Sequence, residues 1–383
     1  MERIHSALDT AHTLLYYPAP FASHEPFNAV PLPKKHLLSA RKRAANWCAV
    51  SFMMAGHSRI AGLGAYLPER VVPNAELGAF LGVTDEWIVE RCGIRERRYA
   101  ADGEGTAAMA GKAVRKCAED AGWELADIDF VIFATLSPDH FFPGSGVYMQ
   151  HQLGMPHIPV MDVRNQCSGF LFGLVVADAL ISSGAYRKVV VVGAEIHSHC
   201  LEVPETNKEV AVLFGDGAAA AAIEPSEEKC LLASDLHVDG SGADYLKLEL
   251  FEQKRRPWIT PQDIIARRQI PVMDGVKVFL RAVAETTASA RATLAKAGED
   301  IGNVKLVIPH QANFRINDTV RRRLRLPPEK MFHNIQTRGN TTAASVPLAM
   351  YEAREAGLYS RGDLLLLTAF GSGFTWGSAL LRF

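Results

Sequence analysis

The sequence predicts an α/β fold made of two copies of one unit, each a mostly parallel sheet with helices on both faces. Two observations carry this. From residue 106 onward, short strands that are apolar throughout alternate with helical segments, and a strand with no polar side must be covered on both faces. The second observation is an internal repeat. The segment from Ala121-Gly122-Trp123 to Phe130-Val131-Ile132 lies without a gap over Ala297-Gly298-Glu299 to Leu306-Val307-Ile308, 176 residues later, and both copies read as helix end, turn and apolar strand. A further match sets Cys167 to Gly184 against Asn340 to Gly357, 173 residues later, each followed by an aromatic, Tyr186 or Tyr359.

Bulk composition narrows the class. The 383 residues are 48% hydrophobic, enough for two domains or one large duplicated one. A net charge of -1 gives no global reason to expect nucleic acid or an acidic membrane as partner. Six cysteines, at 48, 92, 117, 167, 200 and 230, form no C-x-x-C pair and no short metal-ligand spacing, so reduced thiols in a cytoplasmic protein and no metal site are expected. No apolar run is long enough to span a bilayer, and Met1 to Thr10 lacks a basic start followed by an apolar stretch.

Taken in order, residues 1–53 stand apart: Tyr17-Pro18-Ala19-Pro20 and Pro31-Leu32-Pro33 break any period, and Arg41-Lys42-Arg43 precedes Trp47. A docking arm, a targeting piece and an extension from an upstream start codon all fit, and each leaves this segment outside the fold. Ser58 to Pro68 opens with a strand and a glycine turn. A helix over Ala107–Ala121 stops at Gly122, and the strand Phe130–Ala134 follows. Ile158 to Val163 reads as a buried strand leading into Asn165-Gln166-Cys167-Ser168-Gly169-Phe170, after which Leu171 to Leu180 suits a helix buried on all sides and closed by Gly184. Val189–Gly193 is another strand, and Leu213-Phe214-Gly215-Asp216-Gly217 turns into Ala218–Ile223, whose small side chains let something pack closely. The repeat divides the remainder into 54–225, with Cys167, and 226–383, with His310 and Asn340.

Cys167 sits at a strand-to-helix junction, where free backbone N–H groups and the positive helix end favour a thiolate. His310, in Pro309-His310-Gln311-Ala312-Asn313, ends the repeated strand, where ligands collect in parallel sheets. Asn340, in Gly339-Asn340-Thr341, is tied to Cys167 by the 173-residue match, which sets the two at equivalent helix starts facing across a pseudo-twofold axis. Taken singly, the three have plain accounts as a small hydrophobe, a packed imidazole and a helix cap. Together they describe a nucleophile facing two groups that can hydrogen-bond an oxyanion, as acyl transfer and carbanion formation require.

These residues, with Asp85 to Arg91, Gly93-Ile94-Arg95, Phe214-Gly215-Asp216-Gly217-Ala218, Ala343-Ala344-Ser345-Val346-Pro347 and the tail Ala369 to Leu380, resemble the β-ketoacyl-acyl carrier protein synthase III family of the thiolase superfamily over residues 56 to 383. The resemblance implies a thiolase-like, five-layered αβαβα fold, a homodimer, and decarboxylative Claisen condensation of an acyl-CoA primer with malonyl-acyl carrier protein, with no cofactor beyond the thioester substrates. It implies that Cys167 carries the acyl group, that the backbone N–H groups of Cys167 and Ser372 hold its oxygen, and that His310 and Asn340 bind the malonyl carbonyl. It also implies coenzyme A contacts at Trp87, Arg91, Lys208 and Asn313, carrier-protein docking at Arg315, and Phe142 closing the acyl pocket of a dimer partner. Arg321-Arg322-Arg323 would either extend that docking patch or form a solvated helix face. Departures from the family pattern are Arg164, Asn165 and Gln166 before the nucleophile, Ser372 for glycine, Val276 for asparagine, and a remodelled Leu246–Ile270. They indicate a primer other than plain acetyl. The alternative from the same site is acyl-CoA transfer or thioester hydrolysis without elongation. A papain-like hydrolase shares the order Cys, His, Asn but predicts no duplication.

Overall fold

The computed structural model describes residues 56–201 and 208–383, and the extension at 1–53 lies outside the described residues. The first half supplies β1 (His57–Tyr66), α1 (Thr106–Asp120), β2 (Phe130–Ala134), α2 (Ser145–Gln152), β3 (Val160–Val163), α3 (Gly169–Ser182), β4 (Val189–Glu195) and β5 (Gly217–Ser226). Its strands form one sheet in the order β1-β5-β4-β2-β3. The second half supplies β6 (Leu231–Val238), α4 (Gly275–Ala297), β7 (Leu306–Pro309), α5 (Phe314–Arg323), α6 (Ser345–Glu355), β8 (Leu364–Gly371) and β9 (Thr375–Arg382), with sheet order β7-β8-β9-β6. Read from the other end, the second order matches β1-β5-β4-β2 strand for strand.

Alternation along the strands assigns the layers, because successive side chains point to opposite faces. Ile132, Val189 and Val191 of the first sheet and Ile308, Leu365 and Leu367 of the second join Phe170 and Leu174 of α3 and Val346 and Met350 of α6 in one central core. Val131, Phe133, Val190 and Val192 pack outward against α1 and α2. Val307, Leu366 and Leu380 pack outward against Val283 and Leu294 of α4 and Val320 of α5. The result is helices, sheet, two central helices, sheet and helices, which is the five-layered arrangement expected. Every central strand meets a helix layer on each side, which is why these strands carry no polar face.

The small residues of β5 serve close approach. A methyl group at Gly64 of β1 would lie 2.3 Å from the Ala113 carbonyl oxygen and the Cys117 nitrogen, so α1 rests directly on the sheet beside the alanines of β5. Four expectations need correction. The parallel pairing holds for β2 with β3, β2 with β4, and β7 with β8, the strands that lead to the site. However, β1, β5, β6 and β9 are paired antiparallel, because burial on both faces does not encode direction and β8 returns into β9 through the short turn at Ser372–Phe374. β3 is shorter than expected and only partly buried, since it is the edge of its sheet. In α3, Val176 is exposed, so that helix keeps one open stripe.

The last correction concerns the repeat. Its 176-residue offset holds closely: Gly122 and Gly298 both have φ 68°, and the 3₁₀ turns Leu125–Asp127 and Ile301–Asn303 correspond. The same offset, not 173, relates the turns before the central helices, Gln166–Ser168 and Thr342–Ala344, whose first residues have φ 45° and 48°. Cys167 is therefore equivalent to Ala343, and Asn340 lies three residues earlier. The 173-residue match arises because α6 is three residues shorter than α3, 11 against 14, so only the helix ends align at that spacing.

Candidate active site

Cys167, His310 and Asn340 line one cavity of about 660 Å³, although they come from three different connections. Cys167 is the middle residue of the Gln166–Ser168 turn that leads into α3. The turn is fixed by Ser168, whose Oγ donates to the Asn165 carbonyl at 2.9 Å and bonds Thr375 Oγ1 at 2.9 Å. Gly371, at the end of β8, permits the approach: a methyl group there would lie 2.9 Å from the Cys167 nitrogen. The backbone N–H groups of Cys167 and Ser372 both favour negative charge on the sulfur and pull its thiol down.

Burial works against the expected thiolate. Burial pushes the Cys167 thiol up to about 12, and the Glu195 carboxylate adds to the rise, while the two amides pull it back only in part. Desolvation of a charged sulfur outweighs the helix end here. Among the described residues all five cysteines are free.

His310 follows β7 directly and is held by its backbone, with its N–H on the Thr368 carbonyl at 2.7 Å and its own carbonyl accepting from Asn317 Nδ2 at 3.0 Å. Its Nδ1 meets Ser345 Oγ at 2.5 Å, and Nε2 is buried with no protein partner. The Ser345 oxygen also receives the Gln311 N–H at 3.4 Å, and its hydroxyl proton is free to point at Nδ1. We therefore assign the ring proton to Nε2, where it can donate to a ligand. Burial pulls the imidazole down to about 3, so it is neutral.

Asn340 is stitched to a neighbouring segment, its N–H on the Leu213 carbonyl at 2.8 Å and its carbonyl taking the Gly215 N–H at 3.1 Å. Its Oδ1 accepts the Thr342 N–H at 2.9 Å. The carboxamide thus performs a cap-like bond with its oxygen and keeps its Nδ2 hydrogens for a ligand. Two neutral donors and a sulfur then face one chamber, an arrangement that can stabilise negative charge on a thioester oxygen.

The mouth of the cavity holds some of the other expected residues. Arg91, Asn313 and Arg315 line it, as do Val276, Leu246 at the start of the remodelled segment, and Met273 just beyond its end. Asn313 uses its carboxamide structurally, donating to the Arg91 carbonyl at 3.0 Å and capping α5 through the Arg315 N–H at 2.9 Å. Trp87 and Lys208 stand beside the lining: the Arg91 guanidinium lies 3.9 Å from the Trp87 ring centroid and the Lys208 amine 5.5 Å. Phe142 is 79% exposed and lines no part of this cavity. Arg321 and Arg322 both pair with Asp318, and Arg321 also caps the Leu326 carbonyl, so two of the three arginines are engaged within their own helix end. Sequence reasoning did not single out Ser345, Thr342 or Thr368, whose hydroxyl is buried without a partner in the cavity wall. Only the fold brings them to the site.

Residues 161–240 match a family model described as 3-oxoacyl-[acyl-carrier-protein] synthase III, and residues 294–383 match the model of its C-terminal part. A β-ketoacyl-[acyl-carrier-protein] synthase III of Laribacter hongkongensis is 40% identical over 327 residues, 85% of this chain and 99% of the relative. The crystal structure of 3-oxoacyl-[acyl-carrier-protein] synthase III from Aquifex aeolicus is similar with a TM-score of 0.78 at 38% identity, covering 85% of this chain and 100% of that one. A priming β-ketosynthase from a polyketide biosynthetic pathway is similar with a TM-score of 0.80 at 32% identity, covering 87% and 98%.

Proposed function

Because the chain belongs to the β-ketoacyl-[acyl-carrier-protein] synthase III family of condensing acyltransferases, we propose that it condenses an acyl-CoA primer with malonyl-acyl carrier protein through an acyl group carried on Cys167. The observation that carries this reading is the convergence of Cys167, His310 and Asn340 on one cavity, with a buried, unpartnered Nε2 on the histidine.

In the first half-reaction the Cys167 sulfur attacks the acyl-CoA carbonyl, with the oxygen on the amides of Cys167 and Ser372. The carbon–sulfur bond to coenzyme A breaks, and the departing sulfur takes up the proton that Cys167 loses. In the second, malonyl thioester binds with its carbonyl on His310 Nε2 and Asn340 Nδ2. Carbon dioxide leaves, the bonding pair becomes an enolate, and charge grows on the oxygen these donors already hold, so they favour the transition state over the ground state. The enolate carbon attacks the acyl-cysteine, and the freed Cys167 sulfur takes a proton from solvent. The thioester handles supply what chemistry is needed, so placement is the protein's contribution.

Trp87, Arg91 and Lys208 would grip the nucleotide end of coenzyme A, with Asn313 at the same mouth, and Arg315 would meet an acidic carrier protein by charge. The exposed Phe142 and the edge strand β3 support assembly as a homodimer in which Phe142 reaches the partner's acyl pocket. A primer other than plain acetyl rests on the departures at Arg164, Asn165 and Gln166 before the nucleophile.

Intact-mass spectrometry with a panel of acyl-CoAs tests the first step, and carbon dioxide release from malonyl-acyl carrier protein tests the second. Acyl mass should add to the wild type and not to Cys167→Ala. Release of free coenzyme A with no carbon dioxide and no β-ketoacyl product would instead establish hydrolysis.

A further inference from the structure

His197 lies outside the cavity wall, yet it is built into the support of Asn340. Its Nε2 and the Thr342 hydroxyl share a hydrogen bond of 2.6 Å in which both residues are buried. Thr342 needs such a hold. It is a β-branched residue with φ 48°, in the left-handed region that such side chains rarely adopt. The N–H of this same residue holds Asn340 Oδ1, so the rotation of the carboxamide depends on where Thr342 stands.

The other side of His197 leads back to Asn340 as well. Its ring packs on Phe214 at 4.5 Å between centroids, and Phe214 belongs to the Leu213–Gly215 segment that binds the Asn340 backbone on both sides. The histidine is itself anchored, since Asp216 accepts the N–H groups of His197 and Ser198 at 2.8 and 3.1 Å. Two residues upstream, Glu195 at the end of β4 accepts the Ala343 N–H at 3.4 Å, so β4 and the residues just after it touch two successive residues of the turn that follows Asn340.

We infer that His197 is a positioning residue for the decarboxylation step, fixing Thr342 so that Asn340 presents Nδ2 to the malonyl oxygen. The imidazole is buried and neutral, which suits a fixed hydrogen bond and not proton transfer. The inference rests on the condensing reading given above. It predicts an effect confined to the half-reaction that uses Asn340, whereas loss of mere packing would affect both half-reactions.

The wild type comes first: if it forms no acyl-enzyme and releases no carbon dioxide from malonyl-acyl carrier protein, the condensing reading itself fails. Given both activities, His197→Leu should lower kcat for carbon dioxide release by about tenfold, the equivalent of one ordinary hydrogen bond, with acyl-enzyme formation within about twofold of wild type. His197→Gln, which can still reach Thr342, should recover most of the loss. Thr342→Val removes the hydroxyl from the other side and should reproduce the His197→Leu defect, and it decides the matter if the leucine variant does not fold. In an Asn340→Ala background, His197→Leu should add little further loss. Equal slowing of both half-reactions, or a full tenfold additional loss in the Asn340→Ala background, would overturn the assignment.

Discussion

Ser345 decides what the imidazole of His310 can do. With its hydroxyl on Nδ1, the ring proton is on Nε2 and faces the cavity, and without it Nδ1 is free to take that proton. Ser345→Ala should therefore lower carbon dioxide release from malonyl-acyl carrier protein by about ten- to a hundredfold while leaving acylation of Cys167 close to wild type. Burial acts on the same ring. Because the imidazole is held down to about 3, it is protonated only below that value, and the decarboxylation rate should stay flat from pH 5 to pH 8. An inflection between pH 6 and 7 traced to His310 would show a solvated ring. Burial drives Cys167 the other way, up to about 12, so its alkylation by iodoacetamide should rise about tenfold per pH unit between pH 7 and 9 with no plateau, read on the peptide that contains it. Cys167, His310 and Asn340 were legible in the sequence because each sits in a motif of its own. Ser345, Thr342 and His197 were not, since each works through a partner at least two residues and as many as 145 residues away, and such pairings exist only once the sheets stack.

Among the elements, the contact between β4 and the turn Thr342–Ala344 carries the site from one half to the other. A methyl group at Gly193 would lie 2.5 Å from the Ala343 carbonyl oxygen and 2.8 Å from the Ala344 nitrogen, both of them backbone atoms that cannot swing away. Gly193→Ala should cost about 1–3 kcal/mol of stability by overpacking, measured by denaturant unfolding, and should slow the malonyl step more than acylation because it displaces the turn that holds Asn340. Gly240→Ala, with nothing within 4 Å of the added carbon, is the matched control and should change neither. The order of strands and helices was legible here because apolar runs mark burial. Strand direction was not: β5 and β9 are buried over most of their length, as β2 and β7 are, and a side chain buried on either face is equally content in an antiparallel ladder.

At the scale of the molecule, duplication explains why one chamber draws on two halves: the turns at Gln166–Ser168 and Thr342–Ala344 meet across the centre, each at the start of a buried helix. The repeat itself was legible, and its exact register was not, because a three-residue difference in helix length gives the sequence a second, misleading alignment. The same duplicated body bears on residues 1–53. Residues 53–383 form a compact unit by themselves. The curated relatives match over 327 to 330 residues, 98 to 99% of their own length, and the C-terminal family match runs to Phe383, so the unmatched part of this chain falls mainly before β1. Both sheets, both central helices and Cys167, His310 and Asn340 lie beyond residue 56. A chain that begins at Met54 should therefore keep its unfolding midpoint and hold kcat/KM for condensation within about twofold. If the shortened chain folds, as judged by circular dichroism, but no longer takes an acyl group on Cys167, the extension is part of the active enzyme and the duplicated body is not sufficient for the chemistry.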